Sequence, residues 1–252
     1  MRVNLLILTV ILMTMLTSCA THRMQANESV NTENSPSTSQ PGDSTDTTES
    51  SETEGLTDLS KEDLSVRATA SHRAGQLIIQ PKSHATVVSL GAPSCYGLET
   101  DLSWTGDYEA IWQPAAGGDP VKVMSFPEDL EIIEPTDAMI SLQMITVGDA
   151  DFFTYYPRYT DCHALEAYLF GVKDGQVFPV TFEDEAGQLT GSFFQHPHYP
   201  LQVSGNDELV VTGGEGAGQA FVEVRHYRYD SGQHRMKLSK TDRVQPQDLS
   251  AN

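Results

Sequence analysis

Residues 83–245 predict a mainly β domain. Three observations carry that prediction. Apolar runs of strand length are bounded by Gly, Asn and Asp, 13 prolines leave few uninterrupted helical stretches, and a spacing of about 57 residues recurs three times. At that offset Gly91, Gly148 and Gly205 fall in register. So do Glu109, Glu166 and Glu223, and so do Gly118, Gly175 and Gly232. The rows around the last two columns read YEAIWQPAAGGDPVKV, LEAYLFGVKDGQVFPV and VEVRHYRYDSGQHRMK. Each places an aromatic and β-branched run, then turn residues, then a second run, which is the pattern of a β-hairpin.

Along the chain, residues 1–18 hold one charge, Arg2, ahead of the apolar run Leu5 to Met13. That is the pattern of an export signal, shorter than a spanning helix needs. Leu16-Thr17-Ser18-Cys19 then resembles the lipobox of bacterial lipoproteins. The resemblance implies removal of residues 1–18 and acylation of Cys19 on sulfur and amine. Two or more acyl chains anchor stably where one does not. The implied location is extracytoplasmic, lipid-anchored to the cell membrane, with an outer membrane left open. Residues 19–55 follow as a disordered tether: over 27–54, 13 of 28 residues are Ser or Thr and Val30 is the sole aliphatic, too little apolar surface to offset chain entropy. Residues 56–82 read as a connector or the domain's N-terminal edge, with a short helix starting at Ser60 and a strand at Gln76–Ile79 ended by Pro81. Strands are expected at Val87–Leu90, Met144–Val147 and Glu208–Thr212. One short helix is expected within Asp129–Met144, interrupted by Pro135. Residues 246–252 read as a disordered tail.

Strand, glycine loop and hairpin in succession also build the blades of β-propellers. Gly205-Asn206-Asp207-Glu208-Leu209-Val210-Val211-Thr212-Gly213 resembles a fragment of the FG-GAP type of repeat. That family's calcium loop of alternating acids has its counterpart only in Asp149-Ala150-Asp151. Three blades are too few to close, since closed propellers use four to eight. The expected architecture is therefore a β-sandwich or a partly open, propeller-like domain.

Composition removes whole classes of function. The 35 acids against 15 bases give a net charge of −20, which argues against nucleic acid because that partner needs a basic face. Within 19–60 there are eight acids and one base, a self-repelling spacer. Partners are then the membrane, through the N-terminal lipid, and an envelope polymer, peptide or protein.

Cys95 and Cys162 can form a disulfide in an oxidising compartment, or remain two thiols. A nucleophilic Cys162 beside His163 gains little from adjacency, because neighbours on a strand point to opposite faces. His196 and His198, two apart in an extended segment, share a face and can meet one ion, zinc by preference, though no further ligand stands at a recognised spacing. Gly213 to Gly218 looks like a phosphate loop, but a strand follows it where a helix N-terminus is required. Glu109, Glu166 and Glu223 form a row that can bind a cation if the repeats are related by rotation, and calcium or zinc is the cofactor left open for the domain. Otherwise these glutamates are solvated strand residues. Tyr155, Tyr156 and Tyr159, in Tyr-Tyr-Pro-Arg-Tyr, suggest an exposed aromatic surface for glycans or peptides. With no triad order, zinc signature or nucleotide loop, the sequence reads as a non-enzymatic binding or envelope-accessory protein without a required cofactor. The alternative is a metal-dependent hydrolase using His196 and His198 with nearby acids.

Overall fold

The computed structural model describes residues 60–216 and 218–249. The signal segment and the whole tether, Cys19 included, lie outside them. The described chain is mainly β, with no α-helix.

The first sheet has seven strands: β1 (Lys61–Glu62), β2 (Ala68–His72), β3 (Gly75–Ser89), β4 (Leu102–Pro114), β5 (Val121–Ser125), β6 (Glu131–Glu134) and β7 (Ile140–Ser141). The second has β8 (Gln143–Val147), β9 (Ala150–Tyr155), β10 (Leu165–Lys173), β11 (Gln176–Pro179) and, against β10, β14 (Phe193–Gln195). The third has β12 (Thr181–Glu183), β13 (Leu189–Thr190), β15 (Gln202–Ser204), β16 (Glu208–Thr212), β17 (Val222–Asp230) and β18 (Arg235–Val244). None of the three closes on itself. Each contains four consecutive antiparallel strands side by side, β2 to β5, β8 to β11 and β15 to β18.

The side-chain period of two explains how the sheets stack. On β9, Phe153 and Tyr155 pack with Leu77, Ile79, Trp104 and Trp112 of the first sheet. Phe152, on the other face, packs with Leu209, Val211, Tyr227 and Met236 of the third. Likewise Tyr168, Phe170 and Val172 of β10 face the first sheet, and Ala167 and Leu169 face the third. The second sheet is thus a middle layer buried on both sides, which is why Leu165 to Val172 is an almost unbroken apolar run. The outer layers alternate instead. Gln76, Gln80, Glu109 and Gln113 lie between the buried positions of β3 and β4. On the far side, His226 is held by Glu208 at 3.0 Å and Asp242 at 3.2 Å. Polar outer faces end the stack at three layers.

Several expected elements are different in the structure. Within the segment read as a connector or the domain's N-terminal edge, residues 68–72 and 75–82 belong to β2 and β3, and β3 takes in the strand expected at Gln76–Ile79 but runs on through Pro81 by a register shift between Pro81 and Ala85. Lys61–Glu62 pairs with β3 rather than starting a helix. The short helix expected within Asp129–Met144 is replaced by β6, β7 and the start of β8. Its β-branched pair Ile132–Ile133 is buried, and β6 pairs with β4. The tail opens with a 3-10 turn, Pro246–Asp248.

Candidate functional site

A hollow of about 700 Å³ lies on the inner face of the third sheet, where β14 and the 184–192 segment stand over β17 and β18. Alternation along β17 puts Glu223, Arg225 and Tyr227 on this face. On β18 a bulge is needed. Tyr227 pairs with Leu238 and His226 with Lys240, so Ser239 is the extra residue, and beyond it Thr241 and Arg243 turn onto the face that Leu238 occupies. Aromatic rings make the floor: Phe182 lies 4.6 Å from Phe193 and 5.2 Å from Tyr227, centroid to centroid. Phe194 stands at the rim, 51% exposed.

The charges in the cleft are tied to one another. Arg225 donates to Glu223 at 2.8 Å. Burial pulls the Arg225 guanidinium down, but bonds to Glu223 and to the Tyr227 hydroxyl outweigh it and keep the group firmly charged. Burial is also the main reason the Tyr227 hydroxyl is pushed up. Arg243 lies 4.5 Å over the Phe221 ring. Asp184 builds the wall, accepting from the backbone N–H of Ala186 at 2.9 Å and of Gln188 at 2.8 Å.

A second region gathers the motifs singled out in the sequence. Cys95 and Cys162 are disulfide-bonded, with Cα atoms 4.9 Å apart. Beside them Tyr159 donates to Asp101 and Arg158 lies 4.6 Å over Tyr96. The glycine-rich loop is sewn to the same place: Glu215 N–H donates to the His163 carbonyl at 3.1 Å, and His163 Nδ1 meets the Glu215 carbonyl at 2.9 Å. A Cβ on Gly214 would meet Ala164 Cβ at 2.5 Å and the His163 carbonyl oxygen at 2.6 Å, so close backbone approach accounts for that glycine. Two hollows of about 380 and 370 Å³ share Pro197 and His198 as a common wall. The first contains Glu134, which burial pushes up to about 7, with Arg67 opposing and Asp101 reinforcing the shift.

The other hollow holds His163, His196, His198 and Glu215. His196 Nδ1 accepts the backbone N–H of His198 at 3.1 Å, so its neutral ring carries the proton on Nε2, which lies 3.8 Å from Glu215. Burial lowers the affinity of His196 for a second proton, as does the charge of His198, with Glu215 opposing. A metal needs the lone pair that this tautomer lacks at Nε2. Among the described residues no three His, Cys, Asp or Glu side chains are grouped to hold a metal ion.

Other expected groupings come apart. Glu109 sits 3.9 Å from Lys122, Glu166 accepts from Tyr168, and Glu223 is paired with Arg225: three strands in three sheets, each acid with its own partner. Asp149 is paired with Lys173, while Asp151 bonds Thr146 and His72, so the alternating acids do not converge either. The expected tyrosine surface reduces to one ring. Tyr155 is wholly buried in β9, and Tyr156 turns in to bond Gln195 at 2.8 Å. Tyr159 alone remains open, at 39% exposure. The Pro157 backbone pairs with Ile133 and so draws this segment against the first sheet.

Of the cleft residues, the sequence singles out Glu223, with Asp184 and Glu185 only as unranked acids for the histidine pair, all for a different role. The signal present was the alternation Glu223, Arg225, Tyr227, with two charges on the face of a buried aromatic. The chain matches no protein-family model, no curated protein and no solved structure.

Proposed function

We propose that the chain is a bacterial lipoprotein, held at the membrane by acyl chains on Cys19, whose extracytoplasmic β domain is a non-enzymatic binding or envelope-accessory protein. Residues 19–55 serve as the tether. The domain is built from three copies of a unit of about 57 residues, stacked in the manner of propeller blades and left open. One hairpin of the repeated pattern in each sheet, β4–β5, β10–β11 and β17–β18, supports that reading. The observation that carries the binding role is the 700 Å³ cleft, of a size that suits a small ligand, with ring faces below and fixed polar groups around.

Anchoring is tested by Cys19→Ser in the full-length protein expressed in a bacterium. The expected result is loss of acylation by mass spectrometry and release from the membrane fraction. Retention of the variant with an unchanged mass would overturn the lipoprotein reading. The alternative, a metal-dependent hydrolase at His196 and His198, draws on the presence of His163 and Glu215 in the same hollow. It requires His196 to give up the hydrogen bond from His198. Stoichiometric zinc, lost in the H196A and H198A variants, would reverse the order of the two readings.

A further inference from the structure

We infer that the cleft over the third sheet is a saccharide site, taking one to three neutral sugar units. The inference rests on the binding role proposed above and adds the class of ligand. A sugar ring is amphipathic in a particular way: its C–H faces are apolar and its edge is a rim of hydroxyls. A site for it needs flat aromatic surface together with fixed planar hydrogen-bonding groups, both within one hollow.

Both requirements are met at the same place. Phe194 offers an exposed ring at the rim, above the Phe182, Phe193 and Tyr227 floor. Arg225 is held by Glu223 at 2.8 Å beside Tyr227, so its orientation is set before any ligand arrives. Arg243 is steered by stacking on Phe221, and its guanidinium donors have no protein acceptor among the described residues. Gln188, Thr190 and Thr241 add neutral polar groups to the lining.

Other ligand classes fit less well. A small anion would face Asp184, Glu185 and Glu223, three carboxylates against two guanidiniums, one of which Glu223 already neutralises. A small cation meets Arg225 and Arg243. An apolar ligand would strip water from all of these groups without replacing their hydrogen bonds. An extended peptide binds by main-chain pairing at a sheet edge, whereas the groups that β17 and β18 turn into this cleft are side chains. Hydroxyls can both donate to the carboxylates and accept from the guanidiniums, so a neutral polyol is matched to a mixed lining.

The test uses the full-length protein in detergent, with cellotriose, maltotriose and tri-N-acetylchitotriose as neutral probes. The tripeptide Ala-Phe-Ala and inorganic phosphate are the contrasting probes. Saturation-transfer NMR reads contact between ligand C–H groups and protein, and titration gives Kd. At least one trisaccharide is expected to bind, and Phe194→Ala and Arg243→Gln are each expected to weaken it by ~10-fold, the loss of one stacking or hydrogen-bonding contact. The control Leu98→Ala, exposed on the disulfide loop, leaves binding unchanged. Circular dichroism confirms that each variant is folded. Binding of the tripeptide or phosphate alone, weakened by the same cleft variants, would overturn the saccharide assignment and keep the binding role. Saccharide binding untouched by either variant overturns the site. If no probe binds, both the assignment and the cleft's binding role fall.

Discussion

Two carboxyl groups under the first sheet are displaced in opposite directions, and the contrast shows how this protein handles its excess of acid. Burial raises Asp63, but bonds from Ser65 and from Trp104 Nε1 at 2.8 Å outweigh it, and the group comes down to about 2. Glu134 has no such donors to oppose burial, and its carboxyl rises from 4.5 to about 7. The two have opposite consequences for stability. Asp63 contributes stability that is present above its unfolded value near 3.8 and is lost as pH falls toward 2. Between about pH 4.5 and 7 the native state keeps a proton on Glu134 that the unfolded chain has released, so stability falls as pH rises through that window. The loss amounts to at most about 3 kcal/mol. Urea unfolding at pH 5 and pH 8 should therefore find the wild type weaker at pH 8. Glu134→Gln, which cannot ionise, should remove most of that difference. Equal pH dependence in wild type and variant would mean that Glu134 is not the group responsible. Glu134 was not legible as special in the sequence, because Arg67 and Asp101, which set its charge balance, lie 67 and 33 positions away.

Local elements follow rules that operate within a few residues, and these were the readable part. Asp174 at φ 52° and Gly175 at φ 80° make the two-residue turn that joins β10 to β11, and Asp-Gly is the dipeptide such a turn selects. The strand at Glu208–Thr212 has the limits its sequence predicts. The helix expected near Asp129 failed because its residues are decided by β4 alongside, not by local preference. The bulge at Ser239 was equally hidden, since a bulge exists only relative to a partner strand, and with it went the placement of Arg243 in the cleft. The disulfide is the element that reaches furthest. Cys95 and Cys162 are 67 residues apart, and linking them joins a loop of the first sheet's chain to the segment that leads into β10. In the chain-entropy account a closure of that length is worth about 4 kcal/mol. The reduced protein, and the C95A/C162A double variant, should melt roughly 10 °C lower than the oxidised form by scanning calorimetry. A shift of under roughly 2 °C would show that the loops are held by their other contacts, among them the Tyr159–Asp101 bond.

For the molecule as a whole, the decisive feature is the middle layer, because it makes each outer sheet's core depend on the same strands. Its one sequence signal was the apolar run of β10, which departs from the alternation of β4 and β17. Which sheets would cover it could not be read, since stacking order depends on contacts between segments far apart in the chain. The shared layer leads to a test of cooperativity. Both tryptophans, Trp104 and Trp112, lie in the core between the first and second sheets, so fluorescence reports on that core alone. Far-UV circular dichroism reports on all three sheets. If β9 and β10 couple the two cores, urea transitions followed by the two probes coincide in midpoint and slope. A sharper form uses Leu169→Ala, which opens a cavity only in the core facing the third sheet. The cost should be about 2–5 kcal/mol, and it should appear in full in the tryptophan signal although no tryptophan is in that core. A variant whose circular dichroism midpoint falls while its fluorescence midpoint stays fixed would mean that the third sheet unfolds by itself. The stack would then be a row of nearest-neighbour units rather than one cooperative body, as repeat arrays are when their interfaces are weak.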